Sequence, residues 1–284
     1  MSMKSAACFP DKPMITTASN QQMKQITALL GRSRERAKSG LFVAEGSRMV
    51  RETPPRLIER LYFSESFSRK EEAGDILREL GQDGKSPEPV IVADSVFARM
   101  SDTVHPQGIC ALVKQPRYEL SGLLAQTAEK SGLLLILENI QDPGNLGTML
   151  RTAEAAGACG VLMSSGCVDL FNPKVIRSTM GAVYRLPFSS YEDMALLMPL
   201  LREHGIHTLA ACLHREAKDY TKGSYQRTAA ILIGNEGNGL LPATIEASDE
   251  KIQIPMDGKT ESLNAAVSAA VLLYEARRQR TEQV

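Results

Sequence analysis

No tryptophan occurs in the 284 residues, and aromatic side chains of every kind make up only 5%. A core must therefore be built from Leu, Ala, Val, Ile and Met, and ligand recognition mainly by ring stacking is disfavoured. Long apolar runs are missing as well. LLLIL at 133–137 and the stretch near 269–274 are the longest, far short of the ~18–20 residues that cross a bilayer. The N-terminus, MSMKSAACFPDKPMITT, has no apolar stretch of secretory length, so no signal peptide is expected. Five cysteines (Cys8, Cys110, Cys159, Cys167, Cys212) make no C-x-x-C pair, and four histidines (His105, His204, His207, His214) make no H-E-x-x-H spacing. A disulfide framework and a structural metal are both unsupported. The expectation is a reduced, cytoplasmic chain with no bound metal and no membrane partner.

What is present suffices for a packed protein: 43% apolar and 23% charged residues, at a length suited to two domains. Net charge is zero, but unevenly spread. Residues 1–118 carry a net +4 and the remainder a net −4; the stretch 24–60 alone holds nine cations against four glutamates. Within it, GRSRERAKSG (31–40) sets four cations and one anion between two glycines. That pattern suits a loop meeting phosphate, although an ordinary solvated helix face carries charge equally well.

Apolar periodicity predicts a helix over 20–31, stopped by Gly31, and another over 69–81. FVA (42–44), LIERLYFS (57–64), VIVA (90–93) and GICALV (108–113) read as strands, with a loop at 82–89. After a linker near 114–121, continuous apolar strands are expected at 133–138, 160–163, 182–188, 207–213, 229–234 and 251–256. They alternate with helices at 145–156, 173–181, 191–204, 242–248 and 262–279. Uninterrupted apolar strands of this kind mark a parallel sheet covered on both faces. The organisation expected is a flexible tail over 1–19, a small α/β domain over 20–117, and an α/β parallel-sheet domain over 118–284.

Ligands of such sheets bind at the carboxyl ends of the strands, and three strand-to-helix loops stand out there. In ENIQDPGNLGTMLR (138–151), Asp142-Pro143-Gly144 turns the chain and Asn145 is placed to cap the next helix; Arg151 reads equally as a surface arginine. In ILIGNEGNGL (231–240), three glycines allow close backbone approach, while Glu236 disfavours a phosphate and suits a neutral or cationic ligand. The pattern matches neither a dinucleotide fingerprint nor a P-loop. In IPMDGKTESLN (254–264), a strand end and a turn lead to Ser262 at a helix start; no histidine lies near it to make a hydrolase nucleophile.

Together N-L-G-x-x-x-R, G-N-E-G-x-G and I-P-M-x(6)-L-N resemble the three signature motifs of the SpoU/TrmH-type RNA ribose 2′-O-methyltransferases of the SPOUT superfamily, over about 130–280. The front part, with LFVAEGSRMVRE and VHPQGICALV, is similar to that family's ribosomal-protein-like substrate-binding module, which implies that the domain over 20–117 binds the RNA substrate. The resemblance implies a deep trefoil knot in the C-terminal domain, a homodimer formed through that domain, and S-adenosylmethionine as cofactor. It implies cofactor contacts from Gly234, Glu236, Gly239, Ile254, Met256 and Leu263, and a reaction centre of Arg151, Asn145, Glu236, Ser262 and Asn264. The substrate would be rRNA or tRNA, with rRNA favoured, and Arg32, Arg34, Arg36, Lys38 and Arg48 are the candidate RNA contacts. The competing reading is a non-catalytic RNA-binding or assembly factor that keeps the fold.

Overall fold

The computed structural model describes residues 13–81 and 87–282. Cys8 and residues 82–86 of the expected loop lie outside the described residues. The chain forms two compact units. The first comprises residues up to Pro116 together with Phe171–Tyr184; the second comprises Arg117–Leu170 and Arg185 onward.

The first unit begins with α1 (Gln21–Gly31), α2 (Ser33–Ser39), β1 (Leu41–Glu45) and α3 (Ser47–Glu52). It continues through β2 (Ile58–Ser64), α4 (Glu65–Ser68), α5 (Glu71–Leu80), β3 (Pro89–Val92), α6 (Asp94–Met100) and β4 (Ile109–Lys114). Its sheet has the order β1-β4-β2-β3, antiparallel except for the β2–β3 pair. Met23, Ile26 and Leu29, at helical spacing on α1, are buried in one cluster with Val43, Tyr62, Val92 and Leu112 of the sheet. The expected flexible tail is corrected over its described part. Ile15 is buried, its N–H donates to Ile91 O at 2.9 Å, and its carbonyl accepts from Ala93 N at 2.9 Å.

Residues 31–40 are also corrected. They form helix α2 rather than a phosphate-facing loop, closed by Gly40 at φ +66°. Arg36 is the reason the turn is stable. It is 3% exposed, and its guanidinium donates to the carbonyls of Leu29 and, at 3.3 Å, Leu30, which the end of α1 leaves without helical partners.

The second unit contains α7 (Leu120–Glu129), β5 (Leu133–Leu137), α8 (Pro143–Ala155) and β6 (Gly160–Ser164). The chain then makes α9 (Pro173–Thr179) and α10 (Ala182–Arg185), which are grouped mainly with the first unit. It resumes with β7 (Phe188–Tyr191), α11 (Met194–Glu203), β8 (His207–Ala211), β9 (Lys218–Asp219), β10 (Ala229–Ile233), α12 (Pro242–Ala247), β11 (Glu250–Gln253) and α13 (Ala265–Thr281). Seven strands pair in the order β7-β6-β5-β10-β8-β11-β9, all parallel. Every residue of β5, β6 and β10 is buried, as expected of strands covered on both faces. Leu123 and Leu124 of α7 and Leu197, Met198 and Leu201 of α11 cover one face over Leu134, Ile136 and Leu232. Helices α8 and α13 pack on each other, and α13 also packs on β10.

Two expectations fail here for tertiary reasons. AVYRLPF reads as a strand by its valine and tyrosine, yet Ala182–Arg185 is helical and the strand starts only at Phe188. Tyr184 is drawn into the first unit instead: its ring lies 6.2 Å from that of Phe42, and its hydroxyl is 2.9 Å from that of Thr53. The linker expected at 114–121 overlaps the start of α7, a helix whose leucines give it a buried face.

Candidate active site

All seven strands of the second unit run the same way, so the loops after β5, β8, β10 and β11 leave from one edge of the sheet. The loop after β5 enters α8 at Asp142, whose Oδ1 accepts from Asn145 N at 2.7 Å. Asp142 is therefore the cap, and the expected role for Asn145 is corrected: Asn145 sits within the first turn. Its side chain is thereby released to act elsewhere.

That side chain joins the three loops. Asn145 Nδ2 donates to Glu236 Oε1 at 2.7 Å, and Asn264 Nδ2 donates to Asn145 Oδ1 at 3.1 Å. Asn264 Oδ1 accepts from Ala266 N at 2.9 Å and from Val267 N at 3.3 Å, capping α13. The helix expected from Ser262 thus starts only at Ala265. The direction of the chain is forced at both ends. A carboxylate only accepts, so it turns the Asn145 amide NH2 towards itself; two backbone N–H groups fix the Asn264 oxygen.

The glycine-rich loop is closed on itself. Asn235 N and Gly239 O, and Gly239 N and Asn235 O, bond at 3.0 and 2.9 Å, and Gly239 has φ +68°. A Cβ on Gly234 would lie 2.1 Å from the carbonyl carbon of Gly239, so only glycine fits. Beside this loop is a cavity of about 360 Å³, the size of a small-molecule site. Gly234, Glu236, Gly239, Ile254, Met256 and Leu263 all line it, as does Ser262. Every expected cofactor residue is thus brought to one place. The sequence reading missed Ala211, Cys212 and Leu213, which line the same cavity; their position just past a parallel strand was the available signal. Burial raises the Cys212 thiol pKa despite the nearby Lys251, which disfavours its thiolate form.

Arg151 takes part in none of these bonds and does not line the cavity. It is exposed on α8 and makes no hydrogen bond or ion pair among the described residues. Ideal helix geometry puts it about 9 Å along the axis and about 240° around from Asn145. In the first unit, Arg32, Arg34, Lys38 and Arg48 are exposed and free of ion pairs among the described residues. Arg36 is removed from the RNA-contact set, since its guanidinium is spent on the end of α1. Among the described residues no cluster of His, Cys, Asp and Glu could hold a metal ion, and no helix is long and apolar enough to cross a membrane.

Residues 132–274 match the model of the SpoU rRNA methylase family, and residues 20–111 match that of an MRM3-like substrate-binding domain. The 23S rRNA (guanosine(2553)-2′-O)-methyltransferase RlmP of Bacillus subtilis is 31% identical over 93% of this chain and 98% of its own. The AdoMet-bound rRNA methyltransferase of Sinorhizobium meliloti superposes with a TM-score of 0.81 at 26% identity, covering 94% of this chain and 98% of that one. The SpoU methyltransferase AviRb of Streptomyces viridochromogenes, in complex with AdoMet, gives 0.81 and 26% over 92% and 98%. The three motif loops that meet at Asn145 fall inside the matched span, and the likeness runs nearly end to end: this chain belongs to the SpoU rRNA methylase family.

Proposed function

We infer that the protein is an S-adenosylmethionine-dependent RNA methyltransferase that modifies a ribose 2′-hydroxyl, on ribosomal RNA in preference to transfer RNA. The observation that carries this reading is the union of the three motif loops through Glu236, Asn145 and Asn264 at the rim of one cavity. The cavity suits the donor. Ile254, Leu263 and Ile252 give apolar walls for a nucleoside, the turn at Gly234–Gly239 presents backbone, and Glu236 and Glu261 favour a positive ligand. When bound, S-adenosylmethionine supplies a methyl group already activated on a sulfonium.

The chain's own contribution is alignment and charge. Glu236, Asn145 and Asn264 form a preset row of polar groups against which a ribose hydroxyl is oriented, and such positioning lowers barriers by several kcal/mol. Glu236 Oε2 takes no hydrogen bond among the described residues and is an acceptor this chain offers for the hydroxyl proton. Arg151 cannot be the base, because a guanidinium stays protonated; it suits binding a neighbouring phosphate and stabilising the developing alkoxide.

The working unit is a homodimer formed through the C-terminal domain, with the chain after β11 threaded as a deep trefoil knot. Two observations support the dimer. Arg151 is exposed and makes no bond to its own Glu236–Asn145–Asn264 row among the described residues, and Leu263, Val267 and Tyr274 leave apolar surface exposed along the start and one side of α13. For the knot, the segment 252–263 shares a cavity with the loop 234–240. The cytoplasm, where donor and RNA meet, is the compartment this reading assigns.

The test is incubation with labelled S-adenosylmethionine and bulk ribosomal and transfer RNA, followed by alkaline hydrolysis. A methylated 2′-oxygen cannot attack its 3′ phosphate, so label is expected in alkali-resistant dinucleotides. Label confined to base-modified mononucleotides would reject the ribose assignment.

A further inference from the structure

Glu138 follows the last residue of β5 and is only 1% exposed. It stands between buried Leu137 and half-buried Asn139, with buried Ile140 beyond. A carboxylate in such a setting is tolerated only when its oxygens are satisfied, and an apolar residue would make a cheaper core. Both oxygens are taken, and both by the same element. Oε2 accepts from Leu241 N at 2.7 Å and Oε1 accepts from Thr244 Oγ1 at 2.6 Å, bridging 103 and 106 residues of chain. Helix α12 has no side-chain cap of its own at Leu241, so Glu138 supplies one from a distance.

The next residue holds the other end of the same loop. Asn139, in the left-handed region at φ +58°, accepts on its carbonyl from Asn235 Nδ2 at 2.9 Å. Its N–H donates to Ser164 Oγ at 2.8 Å. The two residues after β5 therefore grip the glycine-rich loop at its entry, Asn235, and at its exit, Leu241–Thr244. Between those grips lie Glu236 and the backbone that lines the cavity.

We propose that Glu138 is a positioning residue for donor binding: its buried carboxylate fixes the exit of the 234–241 loop and so sets the shape of the cavity and the reach of Glu236 to Asn145. The proposal rests on the reading that this cavity takes S-adenosylmethionine. It assigns Glu138 no contact with donor or RNA.

The experiment is calorimetric titration of full-length wild type, Glu138→Ala, Glu138→Gln and Thr244→Val with S-adenosylmethionine, alongside RNA binding and thermal melting. Glu138→Ala is expected to weaken donor binding about tenfold or more, with RNA affinity unchanged. Glu138→Gln is expected to restore it to within about threefold, because an amide oxygen accepts from Leu241 N–H while its NH2 donates to the Thr244 hydroxyl. Thr244→Val should fall between wild type and Glu138→Ala. Wild-type donor affinity in folded Glu138→Ala overturns the proposal, as does Glu138→Gln being as impaired as Glu138→Ala. If Glu138→Ala does not fold, wild-type affinity in Thr244→Val overturns it. Absence of donor uptake by the wild type would instead remove the functional reading itself.

Discussion

Asn145 and Glu236, 91 residues apart in the chain, meet with the amide nitrogen 2.7 Å from the carboxylate oxygen. Asn264 completes the row from a third loop while also capping its own helix. Asn264 thus ties the start of α13 to the start of α8, while Glu236 reaches the row from the loop between β10 and α12.

Glu236→Ala and Asn145→Ala should each lower kcat by about 10²-fold or more, the usual loss when a preset polar partner of a transition state is removed. Donor affinity should change far less for Asn145→Ala, since Asn145 does not line the cavity. Single-turnover kinetics with calorimetry separates the two; equal losses in kcat and donor affinity for Asn145→Ala would contradict the assigned role.

Arg151 makes no bond to its own row among the described residues, so in a dimer it is expected to serve the partner's. Arg151→Ala and Asn145→Ala should each be inactive alone. Mixed so that subunits exchange, they should regain activity, because one of the two sites in a hybrid would carry both wild-type groups. No recovery in hybrids shown to form would place Arg151 in its own subunit's site or outside catalysis.

Arg36 and Arg34 separate stability from binding. Arg36→Ala leaves carbonyls at the end of α1 without their charged donor and should cost about 1.5–3 kcal/mol, read as a lower melting temperature. Arg34→Ala should leave melting unchanged. It should weaken RNA binding and reduce the slope of log affinity against log salt by about 0.7–0.9, as for one lost phosphate contact. An unchanged slope would remove Arg34 from the interface.

Glu250 links stability to acid. Burial alone would raise its carboxyl pKa, but hydrogen bonds involving His207, Lys218 and Ser224 outweigh that and hold it below the ordinary value of 4.5. A carboxyl depressed by folding stabilises the protein above its unfolded pKa, and that contribution disappears as pH falls through the folded value. Wild type should therefore melt above Glu250→Gln at pH 7, with the gap closing below about pH 4.5. A gap that is constant with pH would contradict the depressed value.

Much of this was legible in sequence because it is local. Continuous apolar runs announced the parallel strands, and glycine spacing announced the closed turn at 234–239. What the sequence hid were choices made by distant partners. Arg36 reads as one cation of four until the end of α1 claims it. Asn145 reads as a cap until Asp142 takes that role. AVYR reads as a strand until Phe42 and Thr53 hold Tyr184. Glu138 gives no signal at all, because Leu241 and Thr244 lie more than a hundred residues away.

The stretch Phe171–Tyr184 has a practical consequence for anyone dissecting this protein. Cutting near residue 117 would leave the front fragment without the rings of Phe171 and Tyr184, which lie 5.0 and 6.2 Å from the ring of Phe42. Phe42 is wholly buried in the intact chain, and such a truncation would lay it bare and invite aggregation. A chimera that borrows the front module from a relative must carry the matching fourteen-residue insert with it, because Phe171 and Tyr184 complete the aromatic packing around Phe42.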